Sequence, residues 1–309
     1  MNAVRNLMPW FRLCRLPNLL TVPGDPVAGF LLAAAGAPQR PPFVLFAAAG
    51  ASLCLYLFGL ILNDLLDLET DLRERPERPL PAGEISVPQA RMAAIAMGLS
   101  GLNLALAAGR PALVVAAALA GMIVLYNAVL KTRRWAGVTA MGLCRGASLL
   151  LGAVAARPDL LTRPDVVAAP VFAAAGGLTL YVAALSAVAR GEMAAEKPQG
   201  ITRWLPFAAL LLLLPALLAL VSARGRLTGL APTAYVFLMV MSLMRAWLLG
   251  GLFYRLQPVP VTVGGHIRNL LLVQACLCVV TGVGGVLPAV LFVLLSFVFV
   301  RLTTRFYSS

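Results

Sequence analysis

A chain of 309 residues that is 61% hydrophobic and only 12% charged, with a mean hydropathy of +0.89, lies far outside the range of a soluble globular domain. Its formal net charge of +13 would suit a nucleic-acid binder, but the basic residues are spread through the loops between apolar runs and form no single patch, which excludes that partner. Five cysteines without a Cys-x-x-Cys pair, and a single histidine, His266, provide no thiolate or imidazole metal centre.

The N-terminal stretch through Arg15 is basic. The apolar segment behind it carries Pro17, Pro23, Asp25 and Pro26 with no small-residue cleavage site, so it reads as a retained first membrane segment and not as a signal peptide. Candidate spans fall at 18–37, 42–66, 88–109, 111–130, 136–156, 166–189, 203–222, 228–253, 264–283 and 286–302. Counted as nine, or ten if the last run crosses twice, they predict an all-α polytopic membrane protein of one domain, residues 1–309. Loop charge sets its orientation. With the N-terminus inside, the inner side collects Arg5, Arg12, Arg15, Arg73, Arg75, Arg78, Arg91, Lys131, Arg133, Arg134, Arg190, Lys197, Arg203, Arg255 and Arg268, whereas the outer loops keep only Arg40, Arg110, Arg157, Arg163, Arg224 and Arg226. That bias predicts a multi-pass protein of the cytoplasmic membrane with the polar end of its bundle facing the cytoplasm.

The second span is uncharged from Phe43 to Leu62 and ends in Asn63-Asp64-Leu65-Leu66-Asp67-Leu68-Glu69-Thr70-Asp71. If the helix continues, Asn63, Asp67 and Asp71 lie at about 0°, 40° and 80° and Asp64 at about 100°, so four oxygen-bearing side chains share one face. Three carboxylates at a membrane boundary need a positive partner. A hard cation such as Mg²⁺ suits Asp and Asn oxygens and completes its shell with water and phosphate. The loop that follows, Leu72 to Ser86, is rich in Arg and Pro, and its Arg73 and Arg78 suit phosphate oxygens. Alone it would read as a solvated inner loop; beside three aspartates it reads as a lid over a metal-bound diphosphate.

The combination Asn63-Asp64-x-x-Asp67-x-x-x-Asp71, followed by Arg78-Pro79-Leu80 and Gly83, resembles the first signature of the UbiA superfamily of intramembrane prenyltransferases. Arg12 to Gly29 looks like that family's opening segment, Tyr126-Asn127-x-x-x-Lys131 like the end of its fourth helix, and Met141 to Gly146 like the fifth-helix pattern of one branch. The resemblance implies a helical bundle around a central cavity, open to the bilayer, in which Mg²⁺ and an isoprenyl diphosphate are held by Asp-rich motifs. It implies that Asn63, Asp67 and Asp71 ligate the metal, with Asp64 as a ligand or a support, and that Arg73 and Arg78 contact the donor. The implied chemistry is ionisation of the allylic diphosphate and attack by a hydrophobic or aromatic acceptor on the cation.

This chain departs from the family at the second signature. Where relatives carry a second Asp-x-x-x-Asp, residues 181–197 contain no aspartate, and Glu192 and Glu196 alone keep the four-residue spacing. They read either as solvated loop glutamates or, for Glu192, as a relocated metal ligand, with Arg190 adding positive charge. Arg145 and Arg245 fall inside predicted spans, where an unpaired arginine is costly. Arg145, among Gly142, Gly146 and Ser148, is a candidate catalytic cation or one half of a structural ion pair; Arg245 carries the weaker case. Asn127 and Lys131 sit four residues apart and can reach one cavity. Asp25, in the break Val22-Pro23-Gly24-Asp25-Pro26, lines the cavity or serves the break, and His266, without a partner motif, reads as structural. The competing function class is a non-enzymatic UbiA-like protein that binds or helps move a lipid or aromatic metabolite within a biosynthetic membrane complex.

Overall fold

The computed structural model describes residues 2–34, 39–162, 168–193, 200–222 and 229–306, excluding the side chains of 2–7, 191–193, 283 and 300–306. No strand occurs among them. A basic helix α1 (Asn2–Leu13) leads into one turn, α2 (Leu16–Leu19), and a short α3 (Gly24–Ala34). Then come α4 (Pro42–Leu66), α5 (Leu68–Glu74), α6 (Val87–Ala108), α7 (Arg110–Ala128), α8 (Arg134–Ala156) and α9 (Ala169–Met193). The chain closes with α10 (Leu205–Ser222), α11 (Ala231–Gly250), α12 (Leu252–Leu256), α13 (Val259–Val279) and α14 (Val283–Phe306).

By length and apolarity 8 described helices can cross a bilayer, and the apolar stretch of α14, Gly284–Phe299, is shorter. The expected nine or ten crossings therefore do not follow from that measure. The first predicted span, 18–37, departs most. A turn over residues 20–23 that ends at Pro23 cuts it into α2 and the 11-residue α3, because proline lacks the N–H a continuing helix needs, and Pro26 sits in the first turn of α3, where that N–H is not required. Elsewhere the local signals act as expected. Ser86 and Gln89 form a reciprocal capping box at the start of α6, and Gly109, at φ 137°, turns the chain between α6 and α7.

Two helices are the most enclosed: 61% of the apolar stretch is buried in α8 and in α13, against 22% in α6 and α11. The short α3 packs on α8 by backbone contact. A Cβ on Gly29 would strike the Leu149 carbonyl, and one on Gly152 the Pro26 carbonyl, so only glycine permits this approach. Met92, Ile95 and Leu99 of α6 and Leu287, Leu291 and Leu294 of α14 are exposed, the mark of a lipid-facing surface. The protein is a multi-pass membrane protein. Because the long helices alternate in direction, the ends of α4, α7 and α9 and the starts of α6 and α8 gather at one end of the bundle.

Candidate functional site

At that end α4 delivers the acidic run. The helix does not continue unbroken: Asp67 leaves helical geometry (φ −92°, ψ 2°) and separates α4 from α5. The four-residue ladder nevertheless survives. Asp67 N–H donates to the Asn63 carbonyl (2.9 Å), Asp71 N–H to the Asp67 carbonyl (2.8 Å), and Arg75 N–H to the Asp71 carbonyl (2.9 Å). The kink preserves the acidic spacing while turning α5 out of the span.

Each aspartate of the run meets a base. Arg78 Nη1 donates to Asp71 Oδ2 at 2.7 Å and lies 4.0 Å from Asp64 Oδ1, and Arg75 stands 4.0 Å from Asp71. Lys131 pairs with Asp67. Asn63 donates to Asp64 at 3.5 Å. Asp64 and Asp71 are buried, whereas Arg73 is exposed and makes none of these pairs.

The loop that supplies Arg78 is ordered, not a solvated tether. Ala82 N–H closes on the Arg78 carbonyl (2.9 Å), Gly83 turns at φ 72°, and Ile85 N–H returns to the Pro79 carbonyl (3.2 Å). Leu80 and Ile85 are buried against Leu13, Ile61, Ala90 and Ala94, and Glu84 is ion-paired to Arg12 of α1. Burying these two large side chains is worth about 1.5–3 kcal/mol each, enough to hold the cap in place over the acidic face.

Lys131 comes from a single 3₁₀ turn, Leu130–Thr132, after α7. Arg190, from the end of α9, pins that turn by donating to the carbonyls of Lys131 (2.7 Å) and Arg133 (3.1 Å). One turn back, Asn127 donates to the carbonyls of Ile123 (2.9 Å) and Gly59 (3.5 Å), and its Oδ1 is buried without a partner. Asn63, Asp64, Asp67, Asp71, Arg78, Asn127, Lys131 and Arg190 are thus assembled from α4, α5, α7, α9 and two connecting segments.

Arg145 is placed otherwise. Its Nε lies 2.8 Å from Asp25 Oδ2, an ion pair off the line of a hydrogen bond, and its Nη2 donates to the Thr21 carbonyl (3.0 Å) and Oγ1 (3.3 Å). Gln274 of α13 donates to the same carbonyl (2.6 Å) and to Asp25 Oδ1 (2.7 Å). The carbonyl freed by the break in the first segment is thereby satisfied twice, and Arg145, Asp25 and Gln274 join α8, α3 and α13 through it. His266 packs edge-on against Tyr181, whose hydroxyl donates to the His266 carbonyl at 2.9 Å. Glu192 lies in α9 with its side chain outside the described set, and Glu196 lies outside the described residues altogether.

One residue of the site carries no signal in the spacing of the run. Arg15, in a left-handed conformation (φ 48°, ψ 57°), acts electrostatically on both Asp64 and Tyr126. A non-glycine residue at positive φ is strained, and here the strain falls on the basic residue that joins α1 to α2. An apolar groove of about 310 Å³, lined by Phe58, Ile95, Leu99 and Val124 between α4, α6 and α7, lies elsewhere. Phe58 and Asp67 are about 180° apart at ~100° per residue, so that groove faces away from the acidic side chains.

Among the described residues no three His, Cys, Asp or Glu side chains converge as a metal centre. Asp67 and Asp71 turn instead to Lys131 and Arg78. The donor set itself fits a hard divalent cation: one amide and three carboxylate oxygens along about two helical turns, with bases at hand to balance them.

The pattern of the UbiA prenyltransferase family matches residues 26–253. Digeranylgeranylglyceryl phosphate synthase of Methanoculleus marisnigri is 30% identical over 165 residues, covering 53% of this chain and 58% of that protein. The enzyme of the same name from Methanopyrus kandleri is 32% identical over 146 residues, covering 47% and 51%. The chain spans about half the length of the curated relatives it matches. Among solved structures, one of digeranylgeranylglyceryl phosphate synthase superposes with a TM-score of 0.63 at 19% identity, over 91% of this chain and 99% of that one. The apo UbiA homolog from Aeropyrum pernix K1 gives 0.62 at 19% identity, over 84% and 96%. A UbiA homolog from Archaeoglobus fulgidus bound to DMAPP and Mg²⁺ gives 0.55 at 15% identity, over 94% and 99%. These structural likenesses show a shared fold.

Proposed function

The chain belongs to the UbiA prenyltransferase family, and from that premise we propose that it is a Mg²⁺-dependent prenyltransferase, moving an isoprenyl group from its diphosphate to a lipophilic or aromatic acceptor at the cytoplasmic face of the membrane. The observation that carries this reading is the arrangement of both charges at one end of the bundle. Asp64, Asp67 and Asp71 stand against Lys131, Arg75 and Arg78. A diphosphate leaving group calls for both sets, acids for a cation and bases for phosphate oxygens. The Archaeoglobus homolog that binds DMAPP with Mg²⁺, and the synthases among the relatives, support it.

Asn63, Asp67 and Asp71 would hold the cation, with Asp64 beside them. Bound there, Mg²⁺ would draw off charge from the departing diphosphate. The remaining work falls to the chain's own side chains. Lys131 and Arg78 exchange carboxylate partners for phosphate oxygens and place positive charge where negative charge grows as the allylic C–O bond breaks. Arg190 fixes the turn that presents Lys131, and the Leu80–Ile85 cap keeps Arg78 over the acidic face. The apolar helix walls exclude water from the allylic cation until the acceptor attacks. Arg145, locked to Asp25, is assigned to holding α3 and not to the reacting atoms.

A second reading has its own observation: residues 181–197 lack aspartate, and the carboxylates are already charge-paired. A protein of that kind binds the diphosphate without turning it over. Purified protein incubated with Mg²⁺, radiolabelled prenyl diphosphates of several lengths and a panel of quinone precursors, phenols and glycerophosphates separates the two. Diphosphate release that needs both Mg²⁺ and acceptor is expected. Tight donor binding with no release for any pair would replace the enzyme reading with the binding one.

A further inference from the structure

From Gly200 to the C-terminus the sequence holds eight arginines and neither aspartate nor glutamate. Two of these arginines, Arg245 and Arg268, lie inside helices long and apolar enough to cross the bilayer, α11 and α13. Among the described residues Arg245 donates to the Gly265 carbonyl, with Nε and Nη2 both at 3.4 Å. Arg268 donates Nε to the Ser296 carbonyl at 2.6 Å and lies 5.9 Å over the Phe297 ring. Gly265, whose carbonyl Arg245 reaches, stands one helical turn before Arg268 in α13, and the ion pairs of the described residues all involve other bases.

A carbonyl carries a partial charge and cannot neutralise a guanidinium in hydrocarbon, so the pair needs an anion that this third of the chain does not contain. The site has room and the right surroundings. A Cβ on Gly264 would meet nothing within 4 Å, and Met241, Met244, Val261 and Phe297 nearby are exposed apolar side chains of the lipid-facing surface. Most guanidinium N–H groups of the two arginines remain available for a planar, two-pronged grip on phosphate.

We propose that Arg245 and Arg268 form a binding site for the phosphate of an anionic phospholipid taken from the surrounding bilayer, its acyl chains lying along the exposed faces of α11 and α14. The lipid completes the charge balance of the C-terminal helices and is independent of the acidic site. Arginines that merely reach toward the membrane surface would attract anionic lipid only as the other inner-face bases do, and removing these two would leave most of the preference in place.

Native mass spectrometry of the purified wild type, titrated with phosphatidylglycerol or with phosphatidylcholine of the same chains, tests this. About 1 kcal/mol for each basic residue converts to a preference of roughly tenfold or more for the anionic lipid. Arg245→Gln with Arg268→Gln should reduce phosphatidylglycerol binding to the phosphatidylcholine level, and Asp67→Asn should leave the preference intact. Equal binding of both lipids by the wild type, or an undiminished preference in the double variant, overturns the proposal. Inorganic phosphate that displaces the lipid at low millimolar concentration overturns it in favour of a free-anion site. Should the double variant fail to fold, Arg245→Lys and Arg268→Lys decide: each keeps the charge but loses the planar two-pronged grip, so each must lower the phosphatidylglycerol preference several-fold, and an unchanged preference in both sinks the assignment.

Discussion

At the acidic end, Asp67 meets Lys131, Asp71 meets Arg78, and Asp25, deeper in the bundle, meets Arg145; in α11 and α13, Arg245 and Arg268 end on backbone carbonyls. Both regions carry charge into apolar surroundings, but they solve its cost differently. The first region holds both signs, and in the proposed reaction the acids would take the metal and the bases the phosphate. The second holds one sign and must import the other. Charge in this bundle therefore follows what each region has to do. Reciprocal pairs stand where the proposed function exchanges partners or a helix break is closed, and arginines with no acid partner among the described residues stand where the proposed lipid would supply the anion.

Substitutions that remove one partner test this contrast. Asp25→Ala leaves Arg145 without its counter-ion in the interior, and a loss of about 3–5 kcal/mol should appear as a steep fall in the thermal midpoint. An unchanged midpoint would mean that Gln274 and the Thr21 carbonyl suffice. Asp67→Asn and Asp71→Asn should each lower Mg²⁺-dependent diphosphate release about a hundred- to a thousandfold, read with labelled donor, with little change in the thermal midpoint. Wild-type turnover in either variant would remove that residue from the site.

Smaller effects sharpen the comparison. Lys131→Ala should weaken donor binding roughly tenfold, with Lys131→Arg recovering part of it; equal binding by all three proteins would leave Lys131 as a partner of Asp67 only. Ser86→Ala removes the cap of α6 and should cost about 1 kcal/mol of stability with no change in donor affinity. At the bottom of the scale, Arg245→Leu in lipid-free detergent should cost nothing or stabilise slightly, because it deletes a charge with no acid partner among the described residues. A destabilisation there as large as that of Asp25→Ala would erase the distinction between the two regions.

Much of the acidic end was legible in the sequence because its signals are local. Asn63, Asp64, Asp67 and Asp71 keep helical spacing at the end of an uncharged run, and the Arg78 loop follows directly. The kink at Asp67 was not legible, since nothing in residue type marks it. Arg145 was open to two readings in the sequence, because an intramembrane arginine looks the same whether it faces a ligand or an aspartate 120 residues away. Arg15 read only as an inner-loop charge for the same reason: its nearness to Asp64 depends on how α1 and α2 fold back on α4.

The sequence by itself determined that this is a bundle of membrane helices with an acid-rich, base-rich polar end, because hydropathy, loop charge and i, i+4 spacing act over a few residues at a time. It determined also that the last 110 residues contain no acid. Only the tertiary structure decided which base meets which acid, that the first segment breaks into two pieces clasped by Arg145 and Gln274, and that Arg245 and Arg268 stand near each other with no ion-pair partner among the described residues. Those outcomes depend on helix directions and on contacts between residues far apart in the chain, and side-chain charge finds its partner only after the helices have packed.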